Sequence, residues 1–225
     1  MKSARFDIAF LVSGLIVQVL TYWLAPTHPM ALVSGLLGIT SVILCSQGNI
    51  WTFVFGFGQI LTYSYLCYLE RFYAGLAMNA FYFLSQIYGI CAWRRLRTGE
   101  SAIISPRSLS IKSFVIVCAG VAVVAAGVGW MLAQYTDDTQ PYMDALTTVI
   151  SVVAQVMLVM AIRQQWWLWL VVDVLFVAMW VMAGNWSMVM QYGFWCVNCV
   201  YGLIRWRRLA ESPSNSGKIA ENYTK

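Results

Sequence analysis

The nine-residue string YGICAWRRL (Tyr88–Leu96) returns 113 positions later (201 − 88) as YGLIRWRRL (Tyr201–Leu209). Each copy closes a long apolar run, and each ends in a cluster of arginines. Two hydrophobic blocks that end alike are expected to be two related membrane bundles in the same orientation. Parallel repeats of this kind enclose a central site in many transporters.

Composition supports a membrane setting. Of 225 residues, 60% are hydrophobic and 10% are charged, against about 25% charged in soluble domains. So few polar side chains cannot cover a water-facing surface, which excludes a soluble globular class. The net charge of +5 is not a nucleic-acid footprint, because the basic residues gather at segment ends, where they act as topology signals. The cysteines at 45, 67, 91, 118, 196 and 199 lie within or beside apolar segments and form no disulfide framework. Cys196 and Cys199 make a lone CxxC, read as small packing residues on a membrane helix. His28, between two prolines in a loop, reads as structural. No metal or cofactor is expected.

A spanning helix needs about 20 apolar residues. Eight segments qualify: 6–24, 30–46, 50–68, 72–93, 112–134, 142–162, 166–184 and 187–206. Pro26–Pro29, Gln47-Gly48-Asn49 and Gly184-Asn185 mark short breaks, while Arg94–Lys112 is a basic loop and Gln134–Pro141 an acidic one. The first segment lacks a small-x-small cleavage site and is taken as a helix rather than a signal peptide. With the amino terminus inside, Lys2, Arg5, Arg94, Arg95, Arg97, Arg107, Lys112, Arg163, Arg207, Arg208 and Lys218 all fall on the cytoplasmic side, and Asp137 and Asp138 fall outside. Both termini are then cytoplasmic.

The expected architecture is an all-α integral membrane protein. It comprises an extra helix (1–29), a three-helix bundle (30–93), a basic loop and linker helix (94–134), a second three-helix bundle (135–209) and a disordered tail (210–225). Three helices are an odd number, so the linker must cross once more for the second bundle to repeat the orientation of the first.

Polar side chains at membrane depth mark the candidate site, because they face a cavity or a partner helix. Helical spacing groups Asn79, Tyr82 and Gln86 on one face of the fourth segment. Trp166, Trp169 and Asp173 share a face of the seventh, and Gln191, Trp195, Asn198 and Tyr201 a face of the eighth, with Tyr192 completing the set. Asp144, Thr148, Ser151 and Gln155 line the sixth. Thr148 and Ser151 read first as helix-packing residues, Gln155 and Gln191 as cross-helix bonds, and Asp144 as an interfacial charge. Trp23, Trp51, Trp130 and Trp186 read as aromatic-belt anchors. Asp173 differs, since no basic residue sits at its depth and a carboxylate there calls for a cation, water or a proton. Aromatic faces attract cations at about 0.5–2 kcal/mol each. Together these groups suit a planar, cationic, hydroxyl- or amino-bearing ligand, such as a pyridinium nucleoside or a thiazolium vitamin.

FYAGLAMNAFYFLSQIYGICAW (72–93) and QWWLWLVVD (165–173) resemble the PnuC family of bacterial vitamin transporters, over residues 30–208. The matching features are the YG-x3-W signature and the WxxW of Trp166 and Trp169. The resemblance implies a fold like a full-length SWEET transporter, located in the bacterial inner membrane. It implies facilitated diffusion of nicotinamide riboside with trapping by a cytosolic kinase, and it places Trp166 and Trp169 beside the substrate path. Gln86, Asn79, Asp173 and Tyr201 depart from the family pattern, which keeps thiamine as an alternative substrate.

Other classes fit less well. An intramembrane enzyme would need a nucleophile–base pair or metal ligands at depth, and a channel would need charged rings or a carbonyl filter. A SWEET-type sugar carrier would need neither the carboxylate nor so many aromatic rings. The expected partners are a small vitamin and the lipid bilayer, not nucleic acid. A homo-oligomer stays open.

Overall fold

The computed structural model describes residues 2–24, 28–97 and 102–211. Among them are eight helices: α1 (Lys2–Leu24), α2 (Pro29–Ser46), α3 (Thr52–Leu69), α4 (Tyr73–Leu96), α5 (Ile111–Tyr135), α6 (Pro141–Val159), α7 (Gln165–Met182) and α8 (Trp186–Ala210). Residues 25–27 of the first expected break, 98–101 of the expected basic loop and the expected tail beyond Glu211 lie outside the described residues. Five helices (α1, α2, α5, α6 and α7) are long and apolar enough to cross a membrane on length and composition alone. The other three carry more polar side chains, and two of them, α4 and α8, end in the arginine pairs Arg94–Arg95 and Arg207–Arg208. These cations sit favourably at helix C-termini. They define what we call the basic end.

Local signals set the boundaries. Pro29 opens α2, and the His28 side chain caps it by accepting from Met30 N at 3.2 Å, the structural role expected of this histidine. Ser110 caps α5 through Ser113 N, and Asn185 caps α8 through Met188 N. Helix α6 stops at Val159, three residues before the expected end. There the chain turns through Ala161 at φ 56°, a left-handed conformation that terminates a helix.

Within each half the second helix touches both others, α3 against α2 and α4, and α7 against α6 and α8. The halves meet through α2–α8 and α4–α6, while α5 packs on α6, and α1 lies against α2 and α8. The 113-residue offset maps α2–α8 onto α6–α4, so the interface has an internal two-fold symmetry.

That symmetry is atomic at the basic end. Trp93 Nε1 donates to Leu158 O at 3.1 Å, and Trp206 Nε1 donates to Cys45 O at 2.9 Å. Trp93 and Trp206 are related by the offset, and so are Cys45 and Leu158. Each half therefore supplies an indole as a second donor to a last-turn carbonyl of the other half's first helix, which the following turn also caps, from Gly48 N at 2.8 Å and from Ala161 N at 2.9 Å. Phe53 meets Trp93 edge-on at 4.9 Å, its counterpart Trp166 meets Trp206 at 5.7 Å, and the two indoles Trp93 and Trp206 pack at 5.7 Å. Gly89 lies under Phe53 and Gly202 under Trp166, where a Cβ would collide with each ring. Trp93, Trp206, Phe53 and Trp166 are all at most 2% exposed.

The basic loop is a strap rather than a passive connection. Gly48 (φ 71°) and Ala161 occupy equivalent positions in the α2–α3 and α6–α7 turns. Ile104 N donates to Gly48 O at 2.9 Å, and Arg107 N donates to Ala161 O at 2.7 Å. Ile50 N reaches Ala102 O, and its counterpart Arg163 N reaches Arg107 O, both at 2.9 Å. One short segment thus pins both turns.

Helix α1 breaks the symmetry. The Tyr201 hydroxyl donates to Asp7 Oδ1 at 2.5 Å, Arg205 approaches Asp7 Oδ2 at 3.9 Å, and Phe6 and Phe10 flank the tyrosine ring. Tyr88, the counterpart of Tyr201, is 59% exposed.

The reciprocal indole bonds make a prediction. Trp93→Phe and Trp206→Phe should each lower stability by about 0.5–1.5 kcal/mol through one lost hydrogen bond, since Gly48 N and Ala161 N still donate to the two carbonyls. The double variant should depart from additivity because the rings touch. Thermal unfolding in detergent would check this; wild-type melting of both single variants would refute it.

Candidate functional site

Above the aromatic floor, polar groups converge midway along the helices. Tyr192 on α8 stands within electrostatic reach of Asp173 on α7, Tyr63 on α3 and Tyr82 on α4. Tyr82 faces Ser151 of α6, and Gln155 Nε2 donates to Ser85 Oγ at 2.8 Å across the α4–α6 interface. Five helices, from both halves, therefore contribute to one polar locus.

Buried groups there are paired unequally. Asp173, 5% exposed, accepts from the Cys199 thiol at 3.3 Å. Asn79 is buried and its amide approaches Cys67 Sγ at 3.9 Å. Asn198 is fully buried, yet neither its Nδ2 nor its Oδ1 has a protein partner, and the Trp195 indole N–H is likewise unpartnered. Buried polar atoms are ordinarily hydrogen-bonded, so the Trp195 indole, against Tyr192, keeps a donor available to a polar ligand. Tyr192 stacks on Phe176 at 4.8 Å and meets Trp195 edge-on at 5.1 Å, making an aromatic wall beside the carboxylate.

The internal repeat shows where the two halves diverge. Asn79 corresponds to Tyr192, Tyr82 to Trp195, Ser85 to Asn198, Gln86 to Cys199, Ile60 to Asp173 and Gly56 to Trp169. The frame positions Phe53/Trp166, Gly89/Gly202 and Trp93/Trp206 keep an aromatic ring or a glycine in both copies, whereas these differ in size, polarity or charge. In the first half Gln86 lies over Gly56, where a Cβ would strike its amide. In the second half the bulk lies on the other helix, as Trp169 beside the small Cys199.

The structure brings together Tyr82, Asp173, Tyr192 and Trp195 from the sequence-derived set, while Asn79 turns to Cys67 of α3 and Asn198 is buried on α8. Gln86 packs against α3 at the side of this group, and Trp169 lies half-buried between the aromatic floor and the core beside α5 and α6. Trp166 sits inside the floor as the counterpart of Phe53, and Tyr201 is engaged by α1, so neither joins the polar locus. The α6 stripe also divides, since Ser151 and Gln155 face α4 while Asp144 and Thr148 are exposed. Sequence reasoning missed Tyr63, Ser85 and Cys199. The offset from Asn198 and Gln86 would have pointed to the last two; Tyr63 carried no such signal.

With the geometry in hand, the relatives are informative. The family model described as nicotinamide mononucleotide transporter matches residues 28–208. Similar curated proteins are the nicotinamide riboside transporters PnuC of Neisseria mucosa (28% identical, covering 93% of this chain and 84% of that one) and Haemophilus influenzae (28%, covering 92% and 91%). The crystal structure of the vitamin B3 transporter PnuC superposes with a TM-score of 0.75 at 27% identity, covering 92% of both chains. This chain belongs to the nicotinamide mononucleotide transporter family. It is a multi-pass membrane transporter, like its bacterial relatives.

The two tryptophans of the WxxW should separate by phenotype. Trp166→Ala should cost about 3–5 kcal/mol of stability, as expected for a core tryptophan. Trp169→Ala should instead weaken ligand binding with a smaller loss of stability. Melting curves and titrations on both variants would check this, and a reversed pattern would move Trp166 into the site.

Proposed function

We propose that this transporter carries nicotinamide riboside by facilitated diffusion, releasing it at the basic end, which is cytoplasmic. The observation that carries the reading is electrostatic. Asp173 lies in the polar locus, whereas the described arginines and lysines lie at helix ends, in turns or in the strap. A phosphate placed beside an uncompensated carboxylate would be repelled and would lose its hydration without return. A pyridinium nucleoside brings a positive ring and hydroxyls instead. The family description names the mononucleotide, but the site suits the nucleoside, as do the names of the relatives.

The remaining groups have roles consistent with this cargo. Tyr192, Trp195 and Tyr82 offer faces for the ring. Asn198, Asn79 and Gln86 offer amides for ribose hydroxyls or the carboxamide. The carrier performs no chemical step. Phosphorylation by a cytosolic kinase would remove free substrate and sustain inward flux. Transport requires the halves to rock about the locus, parting the indole-sealed floor on the basic side. Placing that side in the cytoplasm follows from the concentration of arginine there.

Proteoliposomes containing the purified protein test the assignment. They should take up labelled nicotinamide riboside, and unlabelled mononucleotide should compete at least ~100-fold more weakly, as like-charge juxtaposition in a binding site costs several kcal/mol. Equal competition would defeat the nucleoside reading. Uptake of thiamine in place of the riboside would favour the thiazolium vitamin, for which Asp173 offers the same countercharge.

A further inference from the structure

Asp173 is the one formal charge by which the second half departs from the first at the locus. Its counterpart Ile60 is 3% exposed and Asp173 itself 5%, so a carboxylate stands where the same fold is content with an alkyl group. Packing therefore does not require it. The groups around it do not balance a charge either. From α8 come Cys199, a weak thiol donor, together with Cys196 and Tyr192, and beyond Tyr192 lie the phenols of Tyr63 on α3 and Tyr82 on α4. All are neutral. A buried carboxylate without a cation carries a large desolvation cost, and the unpartnered indole N–H of Trp195, whose ring meets Tyr192 edge-on, indicates that something other than protein completes the locus.

We propose that Asp173 sets the charge selectivity of this carrier, acting as counter-ion to a quaternary nitrogen in the substrate ring. The substrate class is then flat aromatic rings with a fixed positive charge. Neutral reduced rings, and rings carrying a carboxylate of their own, are rejected. This rests on the pyridine-nucleoside reading above and goes beyond it, because the aromatic wall and the amides alone would accept charged and neutral rings alike.

Isothermal titration of the purified full-length protein tests it with four probes: nicotinamide riboside, its 1,4-dihydro form, nicotinic acid riboside and thiamine. Wild type should bind the cationic riboside at least ~10-fold more tightly than the dihydro or carboxylated forms, a gap of about 1.4 kcal/mol. Asp173→Asn should bring the riboside and its dihydro form within about threefold of each other, mainly by weakening the cation, and Asp173→Glu should preserve the gap. Equal wild-type affinity for the cationic and dihydro forms overturns the proposal without any variant. A gap that survives Asp173→Asn overturns it as well. Binding of thiamine but not of the riboside, with thiamine weakened by Asp173→Asn, would overturn the substrate assignment and leave the charge rule standing. Failure to bind either cation overturns both.

Discussion

Two reciprocal hydrogen bonds hold the architecture together. The last carbonyls of a membrane helix have no intrahelical partner, and lipid offers no water to satisfy them. Cys45 O and Leu158 O accept from the turn that follows each helix and, in addition, from an indole of the opposite half. Each half's own turn also caps the carbonyl, through Gly48 N and Ala161 N, so separating the halves at the basic end strands the two indole donors and exposes the faces of Trp93 and Trp206. The strap at 102–107 reinforces the same place by binding Gly48 and Ala161. The closed end of the molecule is thus polar in its bonds and aromatic in its packing.

This frame explains why a duplicated fold can hold an asymmetric site. Where the copies form the floor, Phe53 matches Trp166 and Gly89 matches Gly202, each glycine admitting the ring above it. Midway along the helices nothing in the frame demands matching side chains, and the copies part: isoleucine against aspartate, glycine against tryptophan, serine against asparagine. A carrier for an unsymmetrical ligand needs such divergence. Its two halves must move alike, but they need not touch the cargo alike.

Helix α1 adds a third level. The YG motif places a tyrosine near the basic end of each half, and Tyr201 finds the carboxylate of Asp7 because α8, unlike α4, has α1 alongside it. The Asp7–Tyr201–Arg205 cluster seats α1 along the α2–α8 seam, while the equivalent α4–α6 seam has no such cover and leaves Tyr88 exposed. The duplicated motif therefore serves two purposes: its tryptophan and glycine build the shared frame, and its tyrosine takes whatever neighbour each half provides.

Much of this was written in the chain. Eight apolar stretches, the repeated YG-x3-W with its arginines, and the acidic residue at membrane depth are local properties, legible because lipid permits so few backbone conformations. Most of the candidate site was legible too, since helical spacing alone places Asn79 and Tyr82, or Trp195 and Asn198, on common faces. Periodicity does not say which neighbour a face meets. Trp166 and Trp169 share a face with Asp173, yet Trp166 is claimed by Trp206 and the floor. Tyr201 shares a face with Trp195 and Asn198, yet it is claimed by Asp7, a residue 194 positions away in sequence. The sequence determined the helices, their repetition and the chemistry available at mid-depth. Only the tertiary structure decided which of those side chains seal the bundle and which remain unpartnered, because that depends on long-range pairings no local spacing encodes.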